Sequence, residues 1–184
     1  MKMFKPFLSC VALIAIGTMA GCTNMPNRAV DVSGTLRTSL DQAGLKDVTA
    51  SQDRDKGVVT LGGHVAIDTD KAQAETIARS VAGNQVVANQ IEVLPVGAES
   101  SAKSVDADLD RGIESNLDAA LLSEKLHHDV KYAVKNHVVT LTGDVSSAAD
   151  RTRAERVASA VVNVKQVVNE LQLKGQKATS TPLD

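Results

Sequence analysis

His137 to Val145 reads HVVTLTGDV, and Gly57 to Val65 reads GVVTLGGHV. Both carry Val-Val-Thr-Leu, one variable residue, a glycine, a second variable residue and a valine. A short β-branched run closing on glycine is a strand signal. The thirty residues after each copy decide the fold. Val65 leads into AIDTDKAQAETIARSVAGNQVVANQIEVLP, and Val145 leads into SSAADRTRAERVASAVVNVKQVVNELQLKG. Shifted by eighty residues, the two align without a gap: Asp70 with Asp150, Glu75 with Glu155, Ala78 with Ala158, Val87 with Val167 and Asn89 with Asn169. Identities held in register through strand, helix and strand mark an internal duplication.

Each copy has the same local grammar. Ala74, Ile77, Ala78 and Val81 recur at helical spacing, as do Ala154, Val157, Ala158 and Val161. Asp68 and Ser147 are candidate N-caps, and Gly83 and Asn163 suit the left-handed residue that closes a helix. QVVANQIEV and QVVNELQL read as final strands. Upstream, Val32, Leu36, Leu40 and Ala43 form a helical stripe, paired by spacing with Leu109, Ile113, Leu117 and Ala120. DVTASQ and DVKYAV then alternate as half-buried strands. The order is helix, strand, strand, helix, strand. An antiparallel hairpin joined by a returning helix gives an α+β fold: two tandem αββαβ sandwiches, each with two helices on a three-stranded mixed sheet.

The expected units are residues 30–95 and 106–174. A Pro-, Gly- and Ser-containing linker at 96–105 separates them, and a polar, flexible tail occupies 175–184. The apolar residues are mostly Val, Ala and Leu, with no Trp, Tyr132 the one aromatic outside the N-terminus, and a formal charge of -2. Cores must then be thin layers of branched aliphatics, and nucleic acid is not an expected partner.

Residues 1–21 read as a signal peptide: Lys2 and Lys5 precede an apolar run too short to span a membrane. The run ends in Met19-Ala20-Gly21-Cys22, which resembles a bacterial lipobox with Met in place of the usual Leu. The alternative is ordinary cleavage after Ala20, leaving Cys22 a free thiol. Lipidation explains better why the one cysteine left in the mature chain sits at the cleavage site. Residues 22–29 would be a tether.

VVTLGGHV with DKAQAETIARSVAGNQVVANQIEV, and VVTLTGDV with DRTRAERVASAVVNVKQVVNELQL, resemble two BON domains, the module named for bacterial osmotically induced and nodulation proteins. With the lipobox, the chain is similar to dual-BON outer-membrane lipoproteins. Asn163 and Asn84 depart from the family's usual Gly and Val. The resemblance implies phospholipid binding and support of envelope integrity under osmotic stress. It also implies an outer-membrane, periplasm-facing location, since Thr23 is not the Asp associated with inner-membrane retention.

Gly63 and Gly143 read as tight strand exits, and Asn89 and Asn169 as partners of local backbone. His64 and Asp144 occupy equivalent places, so no acid or base is common to both copies. His127-His128 lacks further ligands at metal spacing. No enzyme, cofactor, metal or small-molecule substrate is expected. From Lys125 onward the charge turns basic, after an acidic stretch from Glu99 to Glu124. Two surfaces of the second copy are candidates for anionic lipid: Arg151, Arg153 and Arg156, and the group Leu122, Lys125 and Leu126. The competing class is a protein-interaction or assembly module working with other envelope proteins. Intact-mass measurement should find Cys22 as an acylated N-terminus; an unmodified chain beginning at Gly21 or Cys22 would refute lipidation.

Overall fold

The computed structural model describes residues 28–174, so the signal segment, Cys22 and the tail lie outside the described residues. The first repeat runs α1 (Ser33–Gln42), β1 (Val48–Asp53), β2 (Val58–Val65), α2 (Asp68–Ala82), β3 (Val86–Asn89) and β4 (Glu92–Val93). The second runs α3 (Glu99–Ser123), β5 (Lys131–Lys135), β6 (Val138–Thr142), β7 (Asp144–Val145), α4 (Ala148–Ser159), β8 (Gln166–Asn169) and β9 (Gln172–Leu173). Among the described residues, both hydrophobic cores are complete within 28–174, so a fragment of these residues is expected to fold on its own.

In each repeat the hairpin is antiparallel and the last strand lies parallel to the middle one, in the order β1-β2-β3 and β5-β6-β8. The register repeats too: Val59 faces Val87 and Val139 faces Val167. The sheets stay separate. Val59 and Leu61 point under α1 and α2 with Leu36, Leu40, Ala74 and Ala78, while Val139 and Leu141 point under α3 and α4 with Leu117, Leu121, Ala154 and Ala158. Small alanines on α2 and α4 let these helices sit close to the sheet.

The last strand of each repeat breaks after its asparagine, and the side chain repairs the break. Asn89 Oδ1 accepts from Ile91 N at 3.3 Å, and its Nδ2 donates to Glu75 Oε2 at 2.8 Å. Asn169 does the same for Leu171 N at 3.2 Å and Glu155 Oε2 at 2.9 Å. Gly63 and Gly143 sit at φ +82° and +121°, and a Cβ at either would run into the carbonyl oxygen of Asp47 or Asp129.

Four local expectations shift. Residues 99–105 are not linker but the first turns of α3, because ESSAKSV carries no breaker once Pro95 and Gly97 are passed. Ser147 caps α4, its Oγ accepting from Asp150 N at 3.1 Å, whereas Ile67 holds the cap position of α2 and Asp68 is the first helical residue. Within the expected tether, Ala29 N donates to Arg54 O at 2.8 Å and Arg28 pairs with Asp55 at 2.6 Å, so the hairpin turn fixes residues 28 and 29. The first helices also match one turn further along. Leu45 N bonds Leu40 O and Leu126 N bonds Leu121 O, both at 2.9 Å, so Leu40 corresponds to Leu121 and not to Leu117. A one-turn shift keeps an apolar stripe in phase, so spacing alone does not detect it.

Gly143→Ala should cost about 3 kcal/mol or more, from strain plus the backbone collision. Gly97→Ala, at φ +85° with nothing within 4 Å, should cost only about 1 kcal/mol. Urea unfolding of residues 28–174 checks the pair; equal losses would refute the close-approach reading.

Candidate functional site

The two surfaces expected to meet lipid differ in how free their side chains are. On α4, Arg153 is engaged: it forms a close ion pair with Asp150 and lies 3.9 Å from Glu124. Ser147 also donates to Asp150 at 2.8 Å, and this bond, with Arg153, holds the Asp150 carboxyl below its ordinary range. Arg151 and Arg156 are exposed.

At the end of α3, Leu126 is only 4% exposed and belongs to the core, so it is not available to a membrane. It is the apolar residue that closes a Schellman-type cap onto Leu121. Leu122, by contrast, is 60% exposed. Between them Lys125 takes a left-handed conformation, φ +59°, at the place where α1 uses Gly44 at φ +81°. The positions of Leu122 and Lys125 are thus Asp41 and Gly44 in the first repeat. A lysine in that conformation costs about 1 kcal/mol that glycine avoids. His127 and His128 come next, in an exposed turn, their rings edge to face at 5.2 Å, with His127 Nε2 3.5 Å from Asp118 Oδ1. Spacing had Leu122, Lys125 and Leu126 as one surface; the structure keeps the first two together and removes the third.

Between α3 and α4 runs an open groove of about 480 Å³, lined by Ala120, Val157, Val161 and Val162, with Val162 70% exposed. Among the described residues no three His, Cys, Asp or Glu side chains gather as a metal site, and no helix is long and apolar enough to cross a membrane.

The repeats also touch each other, which the sequence pattern did not disclose. Val58, Ala88, Val138 and Val168, on the sheet faces turned away from the helices, form a shared buried cluster. Around it Lys56 Nζ bonds Glu170 Oε2 and Asn136 Nδ2 bonds Gln90 O, both at 2.6 Å. The Gln166 amide accepts from Asn89 N at 3.0 Å and donates to Val87 O at 2.5 Å, pairing with the free edge of β3. Asn136 and His137 form the two-residue turn of the second hairpin, at φ +50° and +66°. Asp110 of α3 accepts from both of their N–H groups, at 2.7 and 2.9 Å.

The BON domain family profile matches residues 31–95 and 109–175. The chain belongs to the BON-domain family. Its two repeats are both BON domains, and the chain is 33% identical over 137 residues to Osmotically-inducible protein Y of Escherichia coli, covering 73% of this chain and 67% of that one. Two solved structures of CdsD, a structural protein of the type III secretion system of Chlamydia trachomatis, are 13% identical with TM-scores of 0.32. Each covers 77% of this chain, which spans 61% and 65% of theirs.

Both BON domains carry the Asn–Glu contact, and its protonation gives a pH test. The Asn89 hydrogen bond, aided by Arg79, holds Glu75 below the ordinary 4.5 of a glutamate. A lowered folded-state pKa contributes stability that is present above about pH 4.5 and is lost as pH falls through the folded value. Glu75→Gln should therefore flatten the stability profile of residues 28–174 below about pH 4.5. A variant profile parallel to wild type across that window would refute the assignment.

Proposed function

We propose that this protein is a non-enzymatic envelope lipoprotein. Cys22 anchors it in the outer membrane facing the periplasm, and its second BON domain engages anionic phospholipid in support of envelope integrity under osmotic stress. The observation that carries the lipid contact is Lys125, held left-handed beside exposed Leu122 where the first repeat has Gly44 and Asp41. An exposed leucine beside a lysine combines shallow apolar insertion with charge, the pairing that interfacial binding favours. The nearby acid Glu124 lies within 4 Å of Arg153, which offsets its repulsion of an anionic surface. Exposed Arg151 and Arg156 add long-range attraction, each cation being worth about 1 kcal/mol near such a surface. The similarity to an osmotically inducible protein supports the stress setting.

The groove between α3 and α4 favours a second reading, an assembly module whose Val157, Val161 and Val162 dock an envelope protein. Co-sedimentation of residues 28–174 with phosphatidylcholine vesicles, with and without phosphatidylglycerol, separates the two. The lipid reading expects binding only with phosphatidylglycerol. Leu122→Asp with Lys125→Glu should lower it about tenfold or more, and Arg151→Glu with Arg156→Glu should lower it chiefly at low salt. No preference for phosphatidylglycerol, or binding unchanged by both pairs, replaces this reading with the assembly module.

A further inference from the structure

The seam between the repeats is not filled along its whole length. A cavity of about 400 Å³ lies beside it, flanked by the first turns of α3, within the ~300–1,000 Å³ range of small-molecule sites. Val93, Pro95, Ala98 and Val105 give it apolar lining. Lys71 of α2 and Lys165, from the turn before β8, enter it from opposite repeats.

The two ammonium groups are the unusual feature. Lys71 uses one of its three N–H donors on Ile91 O at 2.7 Å. Among the described residues neither lysine has a carboxylate within ion-pair distance; the lysines that do are Lys56 and Lys174. Burial holds Lys71 below its ordinary value, and the charge of Lys165 pushes the same way. Like charges converging in a half-buried cleft are relieved by an anion placed between them.

We propose that the cleft binds a single-chain fatty carboxylate, its head between Lys71 and Lys165 and its chain along Val93, Pro95 and Val105. Asp68 and Asp106 also line the cavity, beyond ion-pair distance of either lysine, and offset their charge only in part. The residual positive charge, with two carboxylates nearby, favours a head of one negative charge over a doubly charged phosphate monoester. Exchanging the repeats puts Arg151 and Gln85 where Lys71 and Lys165 stand, so the lysine pair occurs only once. The site is separate from the lipid-facing end of α3: Val105 and Leu122 are about 25 Å apart along the helix.

The test is an NMR titration of residues 28–174 with sodium octanoate, alongside octanol, octylamine and octyl phosphate. Saturable shifts at Lys71, Ile91, Val93 and Val105 are expected with octanoate. Octanol and octyl phosphate should bind more weakly, and octylamine should not bind. Lys71→Gln and Lys165→Gln should each weaken octanoate about tenfold, the worth of one charge-assisted hydrogen bond. Val105→Asp, at a site already 56% exposed, should weaken it while leaving the fold intact by circular dichroism. Leu122→Asp should leave it unchanged, so failure here and failure of vesicle binding are distinguishable. Octanol or octyl phosphate binding as tightly as octanoate, lysine variants binding like wild type, or shifts confined to the end of α3 would overturn the proposal.

Discussion

A three-stranded sheet has two faces, and the helices of a BON domain cover only one. The constraint on this molecule is what happens to the other. Val58, Ala88, Val138 and Val168 would be exposed aliphatics on an isolated domain; here each repeat buries the other's. The polar frame around it obeys a pseudo-two-fold relation. Exchanging the repeats turns the Lys56–Glu170 contact into the Asn136–Gln90 contact, the self-complementary pattern of a symmetric dimer built into one chain. Glu170 is only 10% exposed in its pair with Lys56, which limits screening of that contact by salt. Where the symmetry breaks it does so for a reason: Gln166, in the place of Val86, spends its amide on the open edge of β3.

The seam also orders what surrounds it. The tight hairpin turn at Asn136–His137 is buried, so its N–H groups need partners, and Asp110 of α3 supplies them. Beside it, the helical start of α3 reaches back to the first repeat and flanks the Lys71–Lys165 cavity. The far end of the same helix carries Leu122 and Lys125. The second repeat is thus the first with a longer leading helix, whose two ends bear the chemistry its sister lacks.

How much of this was legible depends on the length scale. The duplication, the element order and the mixed sheet come from identities eighty residues apart and from simple periodicities. The seam does not. Period-two reasoning puts either Val58 or Val59 inward, and a Val-Val doublet leaves no polar residue to mark the outer face. A residue such as Val138 therefore looks like ordinary core until the second repeat is seen covering it. Leu121, Leu122 and Leu126 present the same difficulty. Three leucines about a helix end read as one apolar patch; the phase of the Ile113, Leu117 and Leu121 face turns Leu122 to water, and the left-handed turn at Lys125 brings Leu126 back to the core. Gly63 and Gly143 were readable because glycine after a β-branched run has few causes; Asn89 and Asn169 were readable as backbone partners, but their glutamates lie fourteen residues upstream in another element.

The most direct test is whether the two repeats share one orientation in solution. Residual dipolar couplings measured separately for 31–95 and 109–174, within the intact 28–174 fragment, report an alignment tensor for each. A closed seam predicts a single tensor fitting both repeats, in their mutual orientation here. Two tensors of different magnitude or direction would mean that the outer sheet faces are not each other's cover, and would contradict the closed seam on which the rest depends.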